Sequence, residues 1–174
     1  IALIEITKPY NGLKDFLLIL INSSFYYVWF RIYSDGRHMN SDIMKALPLP
    51  KDLQKKLRKY SEILKVFSSF LMKKLNYFYD KEYRRFSTSK MKHIIDICDL
   101  FLGEMYDIPD EMVEHIQNFE PSIRGGKKIS NEISLRIRNL LKDNRDNKNI
   151  EGLIVEFKVI LELIENNENL AENK

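Results

Sequence analysis

Residues 53–79 read LQKKLRKYSEILKVFSSFLMKKLNYFY. Within this stretch, apolar side chains recur every three or four positions: Leu53, Leu57, Tyr60, Leu64, Phe67, Leu71, Leu75 and Phe78. That spacing is typical of one face of an α-helix, here about three heptads long. We therefore predict a long amphipathic helix to about Tyr79 whose apolar stripe packs within the chain; an intermolecular coiled coil is the alternative.

Most of the basic residues of this helix fall off the apolar stripe and belong to a larger basic block. Residues 31–92 contain 16 Lys or Arg against 6 Asp or Glu, whereas residues 93–174 contain 10 against 17. Clustered positive charge is the electrostatic signature of a protein that binds a polyanion. The alternative interpretation is an ordinary solvated helix face.

The residues before the long helix predict a second buried helix and a loop. Residues 13–32 are apolar on most faces and predict one helix. Residues 34–40 predict a loop with Asp35-Gly36 as its turn. Residues 43–49 are expected to be extended because they lead into Pro48 and Pro50, and Pro50 suits the first turn of the long helix.

Further amphipathic helices are predicted downstream, at residues 90–106, from Pro109, at 130–141 and at 149–164, with a break at Gly125-Gly126 and frayed residues at 166–174. Residues 1–6 could form a strand. The predicted fold class is mainly α: a helical bundle with long amphipathic helices and at most a small β element near the N-terminus. We divide the chain into residues 1–49, 50–128 and a helical tail at 129–174.

Composition sets broad limits on the class of protein. The 174 residues suffice for one hydrophobic core, and the single cysteine, Cys98, permits neither an internal disulfide nor a cysteine-based zinc site. A cytoplasmic location is expected. The apolar run at 16–30 is too short and too polar for a membrane span, so no membrane partner is expected. Ile1 is not a natural initiator, which indicates a fragment or a processed chain.

Two blocks of sequence resemble a known class of protein. Residues 21–50, INSSFYYVWFRIYSDGRHMNSDIMKALPLP, resemble the closing part of the target-recognition domain in type IIG restriction-modification enzymes and adenine-specific DNA methyltransferases. The order helix, polar loop, Leu-Pro-Leu-Pro and long helix also resembles type I specificity subunits, more weakly.

The second block, residues 86–124, is similar to the segment that closes many type IIG proteins. It matches at Ile94-Ile95-Asp96, Asp99 and Tyr106, while Asp110 and Glu111 stand where that family has an acidic pair. It departs at Asp107, where the family has glycine.

The resemblance implies the DNA-reading end of such an enzyme without its catalytic end. The chain contains neither Asn-Pro-Pro-Tyr nor a Gly-x-Gly cofactor loop. S-adenosylmethionine and Mg²⁺ are therefore expected only in the parent enzyme, and this chain has no predicted catalytic, cofactor-binding or metal-binding residue. The expected partners are double-stranded DNA and the remainder of the parent methyltransferase or nuclease chain.

The candidate DNA contacts lie in the 34–40 loop and in the basic block. Arg37 can donate two hydrogen bonds to guanine and Asn40 can pair with adenine in the major groove, with His38 between them; alternatively, these residues cap neighbouring helices. The complete predicted set is Arg31, Arg37, His38, Asn40, Lys55, Lys56, Lys59, Arg84 and Arg85.

Two other functions compete with DNA recognition. The first is a helical protein–protein interaction module whose basic face binds an acidic partner. The second is a metal nuclease, because Asp110 followed by Glu156 and Lys158 mimics a PD…ExK motif, in which two carboxylates hold a metal ion. Since Glu156 and Lys158 lie in a predicted helix, we expect these side chains to diverge.

Overall fold

The computed structural model describes residues 11–35, 41–80, 82, 85–86, 88–143 and 150–172. The fold is mainly α-helical, which confirms the predicted fold class. The helices are α1 (Leu13–Ile21), α2 (Ser24–Tyr33), α3 (Ser41–Lys45), α4 (Leu53–Tyr77), α5 (Thr88–Tyr106), α6 (Asp110–Gln117), α7 (Pro121–Arg124), α8 (Asn131–Asp143) and α9 (Ile150–Glu172). Two short strands, β1 (Tyr79–Asp80) and β2 (Arg85–Phe86), pair antiparallel. The strand predicted at residues 1–6 lies outside the described residues.

Helix α4 is the predicted long helix, and its apolar stripe is buried inside the chain. Leu57, Leu64 and Phe67 are at most 1% exposed, and the stripe packs against α1, α5 and α9. The Phe67 ring stacks on that of Phe101 with a centroid distance of 5.0 Å and meets the edge of Phe157 at 6.1 Å. The prediction that this helix packs within the chain is therefore confirmed.

Helix α5 runs through the middle of the fold. All residues from 91 to 103 are buried, because α1, α2, α4, α6, α7 and α8 surround the helix. Four of these buried residues are polar or charged: Lys92, His93, Asp96 and Asp99. Burying a charge costs free energy unless it is paired and hydrogen-bonded. Lys92 pairs with Asp96 within α5, while Asp96 and Asp99 accept hydrogen bonds from the Ile129 and Ser24 backbone N–H groups of other segments.

The prediction of one helix at residues 13–32 was wrong, since α1 and α2 are separate and bent by 63°. The Ser23 hydroxyl accepts a hydrogen bond from the Tyr26 backbone N–H at 3.1 Å and so caps the start of α2. The Asn22 side chain donates to the Leu18 carbonyl at 2.8 Å. Short polar side chains of this kind compete with the backbone for hydrogen bonds and favour helix ends.

No single described helix is long and apolar enough to cross a membrane. Only α1 and α2 together reach that length and composition, across their bend.

The segment before α4 was also predicted incorrectly in part. Residues 43–45 were expected to be extended but belong to α3. The Ala46 N–H donates to the Asp42 carbonyl at 2.9 Å, one further helical hydrogen bond, and the chain is irregular from Leu47 onward. Pro50 precedes α4 rather than lying in its first turn, because Asp52 is the N-cap, with φ 52°. At the other end of the chain, α9 continues to Glu172 instead of fraying from residue 166.

One hydrophobic core joins all three predicted segments of the chain. It includes Phe16 from the first segment, Leu64 and Ile97 from the second, and Leu140 and Phe157 from the third. The division at residues 49 and 128 stays a prediction about function.

Candidate nucleic-acid interface

The outward face of α4 carries a row of cations. Lys55, Arg58 and Lys65 are exposed, and Lys51 precedes them at the same spacing of three, four or seven residues. At about 100° per residue, Lys55, Arg58 and Lys65 lie on the side of α4 opposite Phe67, while Lys51 lies in the turn before the helix. We call Lys51, Lys55, Arg58 and Lys65 the α4 ridge.

The ridge is strongly positive and its cations are available. Glu62 is the acidic residue that shares this face. Among the described residues, no carboxylate forms an ion pair with any of the four ridge cations. Three of the four, Lys51, Arg58 and Lys65, are absent from the set of contacts predicted from the sequence. The helical spacing of exposed residues was the signal that could have found Arg58 and Lys65.

Two predicted contacts on α4 have partners within the chain. The Lys56 ammonium donates to the Met105 carbonyl at 2.8 Å and to the Asp107 carboxylate at 2.5 Å, so Lys56 secures the C-terminal end of α5. The Lys59 ammonium lies 5.3 Å from the centroid of the Tyr60 ring. Of the three α4 lysines predicted to contact DNA, Lys55 is the one on the ridge.

The remaining predicted contacts are dispersed. Arg31, in the last turn of α2, pairs with Glu120 at 2.9 Å, and Arg85 has a described backbone that pairs with Asp80 across β1 and β2. The other four predicted contacts lie outside the described residues: Arg37, His38, Asn40 and Arg84. The structure therefore groups Lys55 with cations that were not predicted to contact DNA. The predicted DNA contacts of Arg37, His38 and Asn40 stay predictions.

The two blocks of sequence that carry the family resemblance contact each other through polar groups. The Ser24 backbone N–H donates to the Asp99 carboxylate at 2.7 Å. The Tyr106 hydroxyl donates to the Pro48 carbonyl at 2.9 Å, and burial raises the pKa of Tyr106 to about 12. These contacts attach both α2 and the Leu-Pro-Leu-Pro segment to α5.

Glu120 makes a third connection between the two blocks. Its carboxylate accepts hydrogen bonds from the Tyr27 hydroxyl at 2.6 Å and from the Arg31 guanidinium at 2.9 Å. The hydrogen bond from Tyr27, followed by that from Arg31, holds the pKa of Glu120 below its ordinary value. Glu120 has φ 48° and comes directly before α7, so this contact fixes the outer face of α2 against the α6–α7 turn.

Asp96, the other carboxylate of the Ile-Ile-Asp-Ile-Cys-Asp sequence, is also buried, at 2% exposure. It forms an ion pair with Lys92 one turn earlier and accepts a hydrogen bond from the Ile129 backbone N–H at 3.3 Å. Asp96 and Asp99 therefore hold two other segments of the chain against α5. Sequence reasoning matched them to a family pattern but did not assign this structural role.

Asp107 explains one departure from that family pattern. Its φ is 55°, in the left-handed region that glycine adopts without steric cost. The resemblance places a glycine at this position. In this chain an aspartate occupies it, and its carboxylate pairs with Lys56.

The carboxylates of the nuclease-like pattern do not converge. Burial raises the pKa of Asp110, but Arg138 and Lys142 outweigh this effect and hold it below its ordinary value. Glu156 lies 3.8 Å from Arg136. Because residues 136 and 138 lie about 200° apart around α8, the two carboxylates are on opposite sides of that helix. Within the described residues, no group of three or more His, Cys, Asp or Glu is placed to hold a metal ion.

A polar cavity of about 520 Å³ lies beside α5, α6 and α8 and was not predicted from the sequence. Asp96, Gln117 and Arg138 line it, and each is already engaged: Gln117 donates to the Asp96 carbonyl at 3.0 Å, and Arg138 pairs with Glu114 at 3.3 Å. We therefore interpret the cavity as part of the polar contact between these helices and not as a ligand site.

Comparison of the chain with protein-family models, with curated proteins and with solved structures found no match.

Proposed function

We propose that this chain is the DNA-binding, C-terminal part of the target-recognition region of an adenine-specific DNA methyltransferase or type IIG restriction-modification enzyme, without a catalytic site of its own. The observation that carries the DNA-binding proposal is the α4 ridge, a row of exposed cations on α4 and on the turn before it. The assignment to this enzyme class rests on the sequence resemblance.

The ridge fits the backbone of a nucleic acid. From Lys55 to Lys65 the helix rises about 15 Å, roughly the axial length of four phosphates on one DNA strand. Most protein–DNA hydrogen bonds go to phosphates and sugars, so we expect the lysine and arginine side chains of this face to contact phosphates. The ridge thus accounts for affinity and orientation, and sequence recognition is assigned elsewhere.

Sequence recognition is assigned to the predicted loop residues Arg37, His38 and Asn40. The described segments on either side support this assignment because both are attached to the fold. Before the loop, Arg31 pairs with Glu120; after it, the Ile43 carbonyl accepts a hydrogen bond from the Trp29 indole N–H at 3.4 Å. Base recognition requires that reading groups be held in register on the duplex.

Binding of the 174-residue chain to fluorescent duplex DNA at several salt concentrations tests the proposal. We expect a dissociation constant of roughly 10⁻⁴ to 10⁻⁶ M at physiological salt, with binding that weakens steeply as salt rises. Polyglutamate of matched charge serves as the competing polyanion. Binding of duplex DNA that does not depend on salt, or an absence of binding at low salt, would contradict the proposal.

A helical protein–protein interaction module remains the second candidate, and α9 favours it. Val155, Val159 and Leu163 recur every four residues and are 40–61% exposed. Such an apolar row is a common feature of helix–helix interfaces. Because its basic face would bind an acidic partner, this candidate predicts in the same experiment that polyglutamate binds as tightly as duplex DNA.

A further inference from the structure

A groove of about 580 Å³ opens between the end of α2 and the short helix α3. Its lining combines aromatic and acidic side chains: Trp29, Tyr33, Ser34, Asp35, Asp42, Ile43 and Ala46. The described lining contains no lysine, arginine or histidine.

The aromatic part of the groove is built by helical spacing. Trp29 and Tyr33 are four residues apart on α2, and their ring centroids lie 4.0 Å apart with an interplanar angle of 35°. The indole N–H of Trp29 donates to the Ile43 carbonyl at 3.4 Å, which fixes the ring against α3. Tyr33 is 62% exposed, so this aromatic pair presents ring surface to solvent.

The acidic part comes from both sides of the groove. Asp35 follows α2, and Asp42 lies in the first turn of α3, and both are exposed. A carboxylate beside an aromatic face creates negative potential from two sources, the formal charge and the ring quadrupole. A cation that is both charged and partly apolar gains from both sources at once.

We propose that this groove binds an organic cation, an alkylammonium or guanidinium group, with the group against the Trp29 and Tyr33 rings and its charge next to Asp42. The exposed Asp42 carboxylate disfavours an anionic group in the groove itself. A divalent metal ion needs more ligands than two carboxylates, and no group of three or more His, Cys, Asp or Glu among the described residues is placed to hold one. The chemistry is that of a lysine or arginine side chain of a partner protein, or of a free polyamine.

Trp29 is the only tryptophan in the chain, so its fluorescence reports on this groove directly. The full chain is titrated with N-acetylargininamide, with spermidine and with a short arginine-containing peptide, and with N-acetylglutaminamide as a neutral control. The three cations are expected to change the emission saturably, with dissociation constants in about the millimolar range for a single exposed site. The neutral amide is expected to produce no saturable change.

Two variants locate the binding. Asp42→Asn should weaken binding of the cations about fivefold, because an exposed charge pair contributes up to about 1 kcal/mol. Tyr33→Leu should weaken it as well while retaining the Trp29 reporter. Glu62→Gln, which removes an exposed carboxylate from α4, should leave it unchanged. Circular dichroism confirms that each variant is folded; Tyr33 is exposed, so its variant keeps the test usable if Asp42→Asn does not fold.

Preference among the cations identifies the source of the ligand. A peptide that binds at least tenfold more tightly than N-acetylargininamide indicates a partner protein, whereas equal or tighter binding of spermidine indicates a free polyamine. An emission change that the neutral amide reproduces, or that Asp42→Asn and Tyr33→Leu both leave intact, would overturn the proposal. These measurements contain no DNA, so their failure would not affect the proposed function.

Discussion

The side-chain carboxylate of Asp99 accepts a hydrogen bond at 2.7 Å from the backbone N–H of Ser24, a residue 75 positions earlier. The donor belongs to the first residue of α2, where a helix has unsatisfied N–H groups and a partial positive charge. Asp99 is completely buried in α5. The Asp99 carboxylate, in the middle of α5, thus accepts a hydrogen bond that the first turn of α2 cannot make within its own helix. This contact joins the two blocks of sequence that carry the family resemblance.

Asp99→Ala is expected to destabilise the protein by about 2–3 kcal/mol, since it removes a helix cap and leaves a buried N–H without its acceptor. Urea unfolding followed by circular dichroism measures the effect. Glu62→Ala is the control, because Glu62 is exposed, and it should change the free energy of unfolding by less than about 0.5 kcal/mol. An equally small effect of Asp99→Ala would show that the contact is not important for stability.

Gly103→Ala tests the close approach of α5 and α6. A methyl group at Gly103 would lie 2.6 Å from a methyl carbon of Val113, which is itself 2% exposed. We expect a loss of about 1–3 kcal/mol from overpacking. Combining Gly103→Ala with Val113→Ala should recover part of the loss, so that the double variant is more stable than the two single effects predict when added. Strict additivity would contradict the packing described here.

Asp107 tests the backbone conformation at the end of α5. Both Asp107→Gly and Asp107→Ala remove the ion pair with Lys56, but only glycine relieves the strain of φ 55°. The glycine variant should therefore be about 1 kcal/mol more stable than the alanine variant. Thermal unfolding of the two variants gives this difference directly, and equal stabilities would place residue 107 outside the left-handed region.

The Glu120 contact predicts a dependence of stability on pH. Hydrogen bonds from Tyr27 and Arg31 lower the pKa of Glu120 from its ordinary 4.5 in the folded state. The stabilisation is therefore present above pH 4.5 and is lost as the pH falls through the lower, folded-state pKa. Glu120→Gln should be less stable than the native chain at pH 7, and the gap should narrow below pH 4.5. A gap that is constant from pH 7 to pH 3 would disagree with this assignment.

Most of the helices follow from local sequence patterns. The break that these patterns miss depends on a residue far away in the sequence. The spacing of Leu57, Leu64 and Phe67 predicts α4 because the buried residues of this helix recur with the helical period. The break between α1 and α2 was missed because Asn22, Ser23 and Ser24 look tolerable within a helix. The N–H of Ser24 is satisfied there by Asp99, which the sequence places 75 residues away.

The sequence predicted that the candidate interface is basic, but not which basic residues belong to it. The sequence located the basic block, yet neighbouring lysines have opposite environments: Lys55 faces solvent, whereas Lys56 contacts Met105 and Asp107. Helical geometry separates them once Leu57 is assigned to the core. The partners of Lys56 depend on how α4 and α5 are packed, which no local pattern encodes.

The central claim is that the α4 ridge binds nucleic-acid phosphates, and the salt dependence of DNA binding tests it most directly. The variant Lys55→Gln with Arg58→Gln is compared with Lys14→Gln and Lys158→Gln, which removes the same charge from exposed positions outside α4. The ridge variant should weaken binding to every duplex and lower the slope of log K against log salt by about 2. The control variant should leave the slope within about 0.5 of the native value. Equal effects of the two variants would contradict the account.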